Sequence, residues 1–165
     1  MRTNLLLLTL ILPFSATPAA DFNDGVVAHA LGQYDKALQT MLALAETADH
    51  EYAQYYLGVM YANGQGVKQS YEKAANWLRR SAEKGVPQAQ YKLGELYAKG
   101  RGVPKDHEYA YAWYSVAAAM GHPSASRSVQ LSKGKLSPQE LIEADRLSEQ
   151  FIQKFGKEGA DEKSH

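Results

Sequence analysis

The sequence predicts an all-α protein, a solenoid in which pairs of helices stack side by side along one axis. Three observations support this fold: a 36-residue unit that occurs twice, apolar residues that recur with helical spacing, and glycine pairs between the helices. Such repeats indicate a solenoid because each unit buries its apolar face only against its neighbours. At 165 residues, with 45% of them hydrophobic, the chain is long and apolar enough to build that core.

The segment 1–20 has the layout of a secretory signal peptide. Arg2 provides the positive start, residues 5–12 form an apolar run, and small residues follow it. The run is shorter than the roughly 20 residues that span a bilayer, so we expect no stable membrane insertion after signal removal. We expect cleavage near Ala19 or Ala20, and a periplasmic or secreted protein.

The hairpin 21–50 is the next element, and it is a shortened version of the unit that follows. The full units are the repeats 53–88 and 89–124, which share sixteen identities at a shift of 36 residues. Two apolar stripes with helical spacing in each unit predict two helices.

The repeated glycines and tryptophans are expected to serve turns and packing. These structural positions are Gly58, Gly64, Gly66, Trp77 and Gly85 in the first unit, and Gly94, Gly100, Gly102, Trp113 and Gly121 in the second. Because both tryptophans are expected to pack within their helix pair, we expect truncation of Trp77 to alanine to cost about 3–5 kcal/mol.

The C-terminal part departs from the repeat. Residues 124–134 start another first helix, but no matching second helix follows. Instead, Ser137 begins a Ser-Pro-x-Glu sequence that is typical of a helix start, and it opens a predicted capping helix over 137–155. The charged, glycine-containing tail 156–165 is expected to be disordered.

The combined unit resembles the Sel1-like repeat, a relative of the tetratricopeptide repeat, and the resemblance covers residues 21–134. It implies a right-handed α/α solenoid of helix-turn-helix repeats that mediates contacts between proteins. Many bacterial proteins of this kind are exported and take part in signalling or envelope assembly. The resemblance therefore implies an exported, non-enzymatic scaffold or adaptor that holds a protein or peptide partner in a concave groove.

Composition excludes several other classes of protein. The 18 basic residues are balanced by 18 acidic ones, so the chain lacks the basic surplus of a nucleic-acid binder. Without cysteine it can form neither a disulfide scaffold nor a cysteine-ligated metal site. It also lacks the paired cysteines of secreted Sel1-like proteins described as β-lactamase-like or penicillin-binding. That hydrolase and a binder of cell-wall glycans remain the alternatives.

No motif indicates a metal, a cofactor or a catalytic site. No two of the five histidines are four residues apart, the spacing that places two ligands on one helix face. The glycine loops follow a helix, whereas phosphate-binding loops follow a strand. No serine lies in a motif that activates a nucleophile, although a triad assembled from distant residues stays open.

Partner-binding residues are expected where the two units differ. On the first helix of each unit, the variable positions form a single stripe, which is expected to line the concave surface. The stripe consists of Tyr52, Tyr56, Val59 and Asn63 in one unit and of Gln88, Lys92, Glu95 and Lys99 in the next. Tyrosine is favoured at interfaces, and mixed charge can set the register of a partner. An ordinary solvated face is the open alternative.

Overall fold

A computed structural model describes residues 21–156, and the regular structure in this range is helical. The helices are α1 (Phe22–Ala30), α2 (Tyr34–Thr47), α3 (Glu51–Asn63), α4 (Tyr71–Ala82), α5 (Pro87–Lys99), α6 (His107–Ala119), α7 (Ala125–Lys133) and α8 (Pro138–Phe155). The expected signal peptide and residues 157–165 of the expected tail lie outside the described residues. Gly156, predicted to begin the disordered tail, is instead buried at the end of α8, where its backbone N–H donates to the Ile152 carbonyl. Within residues 21–156, no helix has the length and apolar character needed to cross a membrane.

Each helix from α1 to α7 packs against the next one along the chain, which confirms the all-α solenoid. The pairs are α1–α2, α3–α4 and α5–α6, and α7 stands where the first helix of a further pair is expected. Helix α8 leaves this order because it packs mainly on α6 rather than on α7.

Helix starts follow the local sequence. The Ser70 hydroxyl accepts a hydrogen bond from the backbone N–H of the third residue of α4, and Asp106 does the same for α6. At the start of α8, Ser137 and Glu140 form a reciprocal capping box. The Ser137 backbone N–H holds the pKa of the Glu140 carboxyl below its usual value.

The loops within the units show why the motif contains two glycines. Gly64 and Gly100 end α3 and α5 with φ values of 68° and 64°, the left-handed conformation of a helix C-cap. Gly66 and Gly102 also have positive φ, and each lies against the start of the preceding second helix. A Cβ atom on Gly102 would lie 2.1 Å from the Tyr71 carbonyl oxygen. The second glycine therefore allows neighbouring units to approach closely.

Three successive turns between units have a residue with positive φ at the same position of the repeat. Asp49, Gly85 and Gly121 occupy it with φ values of 49°, 84° and 82°. Asp49 tolerates this conformation, in which its carboxylate pairs with Lys84 at 2.5 Å and with Arg80 at 3.0 Å. The hydrogen bond from Lys84, supported by Arg80, holds the pKa of Asp49 below its usual value.

The helices of each unit cross closely at the glycines inside the first helix. A Cβ atom on Gly58 would lie 2.5 Å from Leu78 Cγ, and one on Gly94 would lie 2.8 Å from Tyr114 Cδ1. Both glycines are buried, so their lack of a side chain makes room for the residue that packs from the second helix.

Helix α8 covers the outer side of Trp113. The Trp113 ring is 3% exposed, and its centroid lies 4.8 Å from that of Phe151 and 5.3 Å from that of Phe155. The Tyr111 hydroxyl donates a 2.6 Å hydrogen bond to the Asp145 carboxylate. Burial and this bond raise the pKa of Tyr111 to about 12. Helix α8 thus caps the array within the same chain.

Trp77 holds the same position in the first unit but has no such cover. It is only partly buried, and the Arg80 guanidinium lies over its ring at 4.7 Å. A cavity of about 340 Å³ opens beside it, lined by Leu42, Glu46, Tyr61, Lys73, Asn76, Trp77 and Arg80. The expected packing of both tryptophans therefore holds fully for Trp113 and only in part for Trp77.

Candidate partner-binding groove

A cavity of about 160 Å³ lies between the first helices α3 and α5, and we call it the α3–α5 cavity. It is lined by Val59, Ala62, Asn63, Tyr71, Leu78, Lys92, Glu95, Leu96, Lys99 and Arg101. Five of the eight stripe residues predicted from the sequence belong to this lining, and they come from both units. Helix α4 packs on both α3 and α5 and thereby brings the two stripes to one cavity.

Charged side chains on α5 form a chain of ion pairs at the cavity. The Lys92 ammonium lies 2.7 Å from one Glu95 carboxylate oxygen, and the Lys99 ammonium lies 3.4 Å from the other. Burial alone would raise the pKa of Glu95, but the two lysines bring it below its usual value. Burial likewise acts to lower the pKa of Lys92, and the Glu95 carboxylate raises it instead. Lys92 and Glu95 are therefore both ionised at neutral pH.

A second cavity, of about 200 Å³, lies one unit further along, between α5 and α7. We call it the α5–α7 cavity, and it is lined by Ala98, Lys99, His107, Tyr114, Ser128, Leu131, Ser132 and Lys135. Every one of these residues lies 36 positions after a residue of the α3–α5 cavity. The two cavities are the same feature in successive units, and they share Lys99. We call the surface that contains both of them the first-helix groove.

The two stripe tyrosines lie outside these cavities. Tyr56 is partly buried, and its ring centroid lies 5.9 Å from that of Phe22 and 5.3 Å from that of His29, both on α1. Tyr52 is 40% exposed, with the Phe22 ring at 6.3 Å. These rings connect α3 to α1, and Tyr56 takes the position that Lys92 holds in the next unit. Gln88, the remaining stripe residue, is exposed at the start of α5.

The groove also includes residues that the sequence reasoning missed. Ser128, Leu131 and Lys135 continue the stripe into the third unit, and the same 36-residue shift would have located them. Arg101 comes from a glycine loop and His107 from a second helix. Only the packing of successive units brings these two residues to the groove, so no periodicity within one helix could reveal them.

His122 lies near the groove in the turn after α6. Its ring stacks on Tyr91 with centroids 4.2 Å apart and an interplanar angle of 11°. The Ser128 hydroxyl lies 3.4 Å from the Tyr91 hydroxyl oxygen. Burial, together with the nearby Lys92 charge, lowers the pKa of His122. His122 is therefore neutral at pH 7 and adds no positive charge to the groove.

Metal ligands are not clustered in the described part of the chain. Across residues 21–156, no group of three or more histidine, cysteine, aspartate or glutamate side chains is placed to hold a metal ion. The groove is lined by apolar, amide, hydroxyl, imidazole and charged side chains.

Comparisons with known proteins place this architecture in context. The Sel1 repeat model matches residues 51–86 and 87–122. A Sel1 repeat protein from Oxalobacter formigenes is 36% identical over 68% of this chain and 92% of that protein, with a TM-score of 0.57. The protective antigen c5321 of uropathogenic Escherichia coli, with an SLR fold, is 30% identical over 86% of this chain, with a TM-score of 0.80. This chain spans only 31% of c5321. No match is found among curated proteins.

Proposed function

Because this chain belongs to the Sel1 repeat family, whose members are generally protein-interaction scaffolds, we propose that it binds a protein or peptide partner in the first-helix groove. The family is typically non-enzymatic, and we propose the same for this protein. The partner would enter a groove that is already formed, so little free energy would be needed to order the binding surface.

The observation that carries this proposal is the pair of equivalent cavities in successive units. A solenoid binds extended partners by presenting similar positions at a regular interval along one surface. The cavities combine apolar walls with charged rims, the composition expected of a specific interface. Five of the eight residues that vary between the units lie at the cavities, whereas the shared Gly58 and Gly94 make room for the packing of the second helices.

We further propose that the protein is exported and acts in the cell envelope, in signalling or assembly. The support is the signal-like sequence of residues 1–20. Fractionation of expressing cells tests this proposal, and N-terminal sequencing of the exported form is expected to begin at Ala20 or Asp21. A protein that stays in the cytoplasm with an intact N-terminus would refute export without affecting the groove.

Groove binding is tested by capture from periplasmic extract with matched variants. The double variant Lys92→Ala/Lys99→Ala removes two charges from the groove, and Lys36→Ala/Lys68→Ala removes two exposed charges from α2 and a loop. We expect the first variant to lose the captured protein and the second to retain it. Equal capture by both variants would refute groove binding. Cosedimentation with purified cell-wall polymer, run alongside, tests the glycan-binding alternative.

A further inference from the structure

The two cavities carry a local excess of positive charge in a chain whose formal net charge is zero. Lys92, Lys99 and Arg101 line the α3–α5 cavity with one acidic residue, Glu95. Lys99 and Lys135 line the α5–α7 cavity, whose lining contains no carboxylate. The basic residues therefore exceed the acidic ones by two at each cavity, and the groove favours an anionic occupant.

Glu95 does not remove this excess. Its carboxylate is already paired with Lys92 and Lys99, which leaves the charges of Arg101 and Lys135 uncompensated. Within residues 21–156, no carboxylate lies at salt-bridge distance from either of these two side chains. The Arg101 guanidinium lies 5.3 Å from the centre of the Tyr71 ring, which orients it while its N–H groups remain able to donate.

From the groove binding proposed above, we infer that the partner contributes an acidic segment that places one carboxylate in each cavity. Lys99 lines both cavities, whereas Lys135 lines only the α5–α7 cavity and Arg101 lines only the α3–α5 cavity.

Synthetic peptides test this inference on the purified protein by fluorescence anisotropy at low and high salt. Two peptides of otherwise identical sequence are compared, the first with glutamates and the second with glutamines at the same positions. We expect the first peptide to bind about tenfold or more tightly than the second, because each lost charge-assisted hydrogen bond is worth about a factor of ten. We also expect its affinity to fall at high salt.

Variants that each remove one positive charge test whether the peptide binds at the two cavities. Lys99→Gln and Lys135→Gln are each expected to weaken binding of the first peptide about tenfold. Lys133→Gln, at the end of α7 and outside the cavity lining, is expected to leave binding unchanged. Circular dichroism confirms that each variant is folded. Equal affinity for the glutamate and glutamine peptides, or an equal effect of Lys133→Gln and Lys135→Gln, would overturn the inference. If groove variants still abolished capture of the natural partner in that case, the scaffold function would stand and only the acidic chemistry would be rejected.

Discussion

The two tryptophans provide a direct test of how the array is stabilised, because they are equivalent in sequence and differ in surroundings. Trp113 is 3% exposed and lies against two phenylalanine rings of α8. Trp77 is partly buried beside an open cavity of about 340 Å³. We expect Trp113→Ala to destabilise the protein more than Trp77→Ala.

The magnitudes follow from these surroundings. Truncation of a fully buried tryptophan leaves a closed void and costs about 3–5 kcal/mol. At Trp113 the loss includes two aromatic contacts of about 0.5–1.5 kcal/mol each. At Trp77, water can enter the space left by the ring, and the loss is limited to part of its apolar burial and a cation–π contact with Arg80 of about 0.5–1 kcal/mol. We expect about 1–2 kcal/mol for Trp77→Ala, which is less than the sequence alone suggested.

Urea unfolding followed by far-ultraviolet circular dichroism measures both costs. Because the chain contains only two tryptophans, each variant also keeps a single fluorophore. Emission from Trp113 in the Trp77→Ala variant is expected at shorter wavelength, and with weaker quenching by acrylamide, than emission from Trp77 in the Trp113→Ala variant. Equal losses of unfolding free energy at unchanged m-value would refute the role assigned to α8.

Four further substitutions test the loops, the turns and the cap. Gly102→Ala is expected to lower the free energy of unfolding by more than about 2 kcal/mol, because its Cβ atom would collide with the backbone of Tyr71. Gly121→Ala is expected to lower it by about 1 kcal/mol, because this glycine has positive φ but no atom within 4 Å of the added Cβ. Thermal or urea unfolding measures both losses. Asp49 has a lowered pKa, so its pairing with Lys84 stabilises the fold above the unfolded-state pKa and is lost as pH falls through the folded-state value. Asp49→Asn is therefore expected to reduce the fall in unfolding free energy that occurs below about pH 4. The reduction is expected to be less than about 1 kcal/mol because the pair is exposed. An unchanged dependence of stability on pH would contradict the pairing. Tyr111→Phe, which removes the hydrogen bond to α8, is expected to cost about 1–2 kcal/mol and to increase amide exchange in α8.

Much of the fold could be predicted because its determinants are local. The helical pairs depend on apolar spacing within about 18 residues, and the loops depend on glycines that take positive φ at fixed positions. The start of α8 was readable for the same reason, since Ser137 and Glu140 cap it within one turn.

The candidate site was predictable in part. Lys92, Glu95 and Lys99 lie on one helix, so their spacing alone places them together at the α3–α5 cavity. Tyr56 occupies the equivalent stripe position to Lys92, yet it contacts α1. Its environment depends on a helix from the shortened first hairpin, whose position no pattern within the repeat could indicate.

The sequence by itself determined the repeating unit, its two helices and the positions that vary between units, because these features arise from interactions within one unit. Only the tertiary structure decided which copy of a repeated residue is covered. Trp77 and Trp113 have the same place in the motif, but α8 packs on α6 and leaves the first unit open. In a stacked array each unit contacts its neighbours alone, so identical residues acquire different burial, and different roles, from the elements beside them.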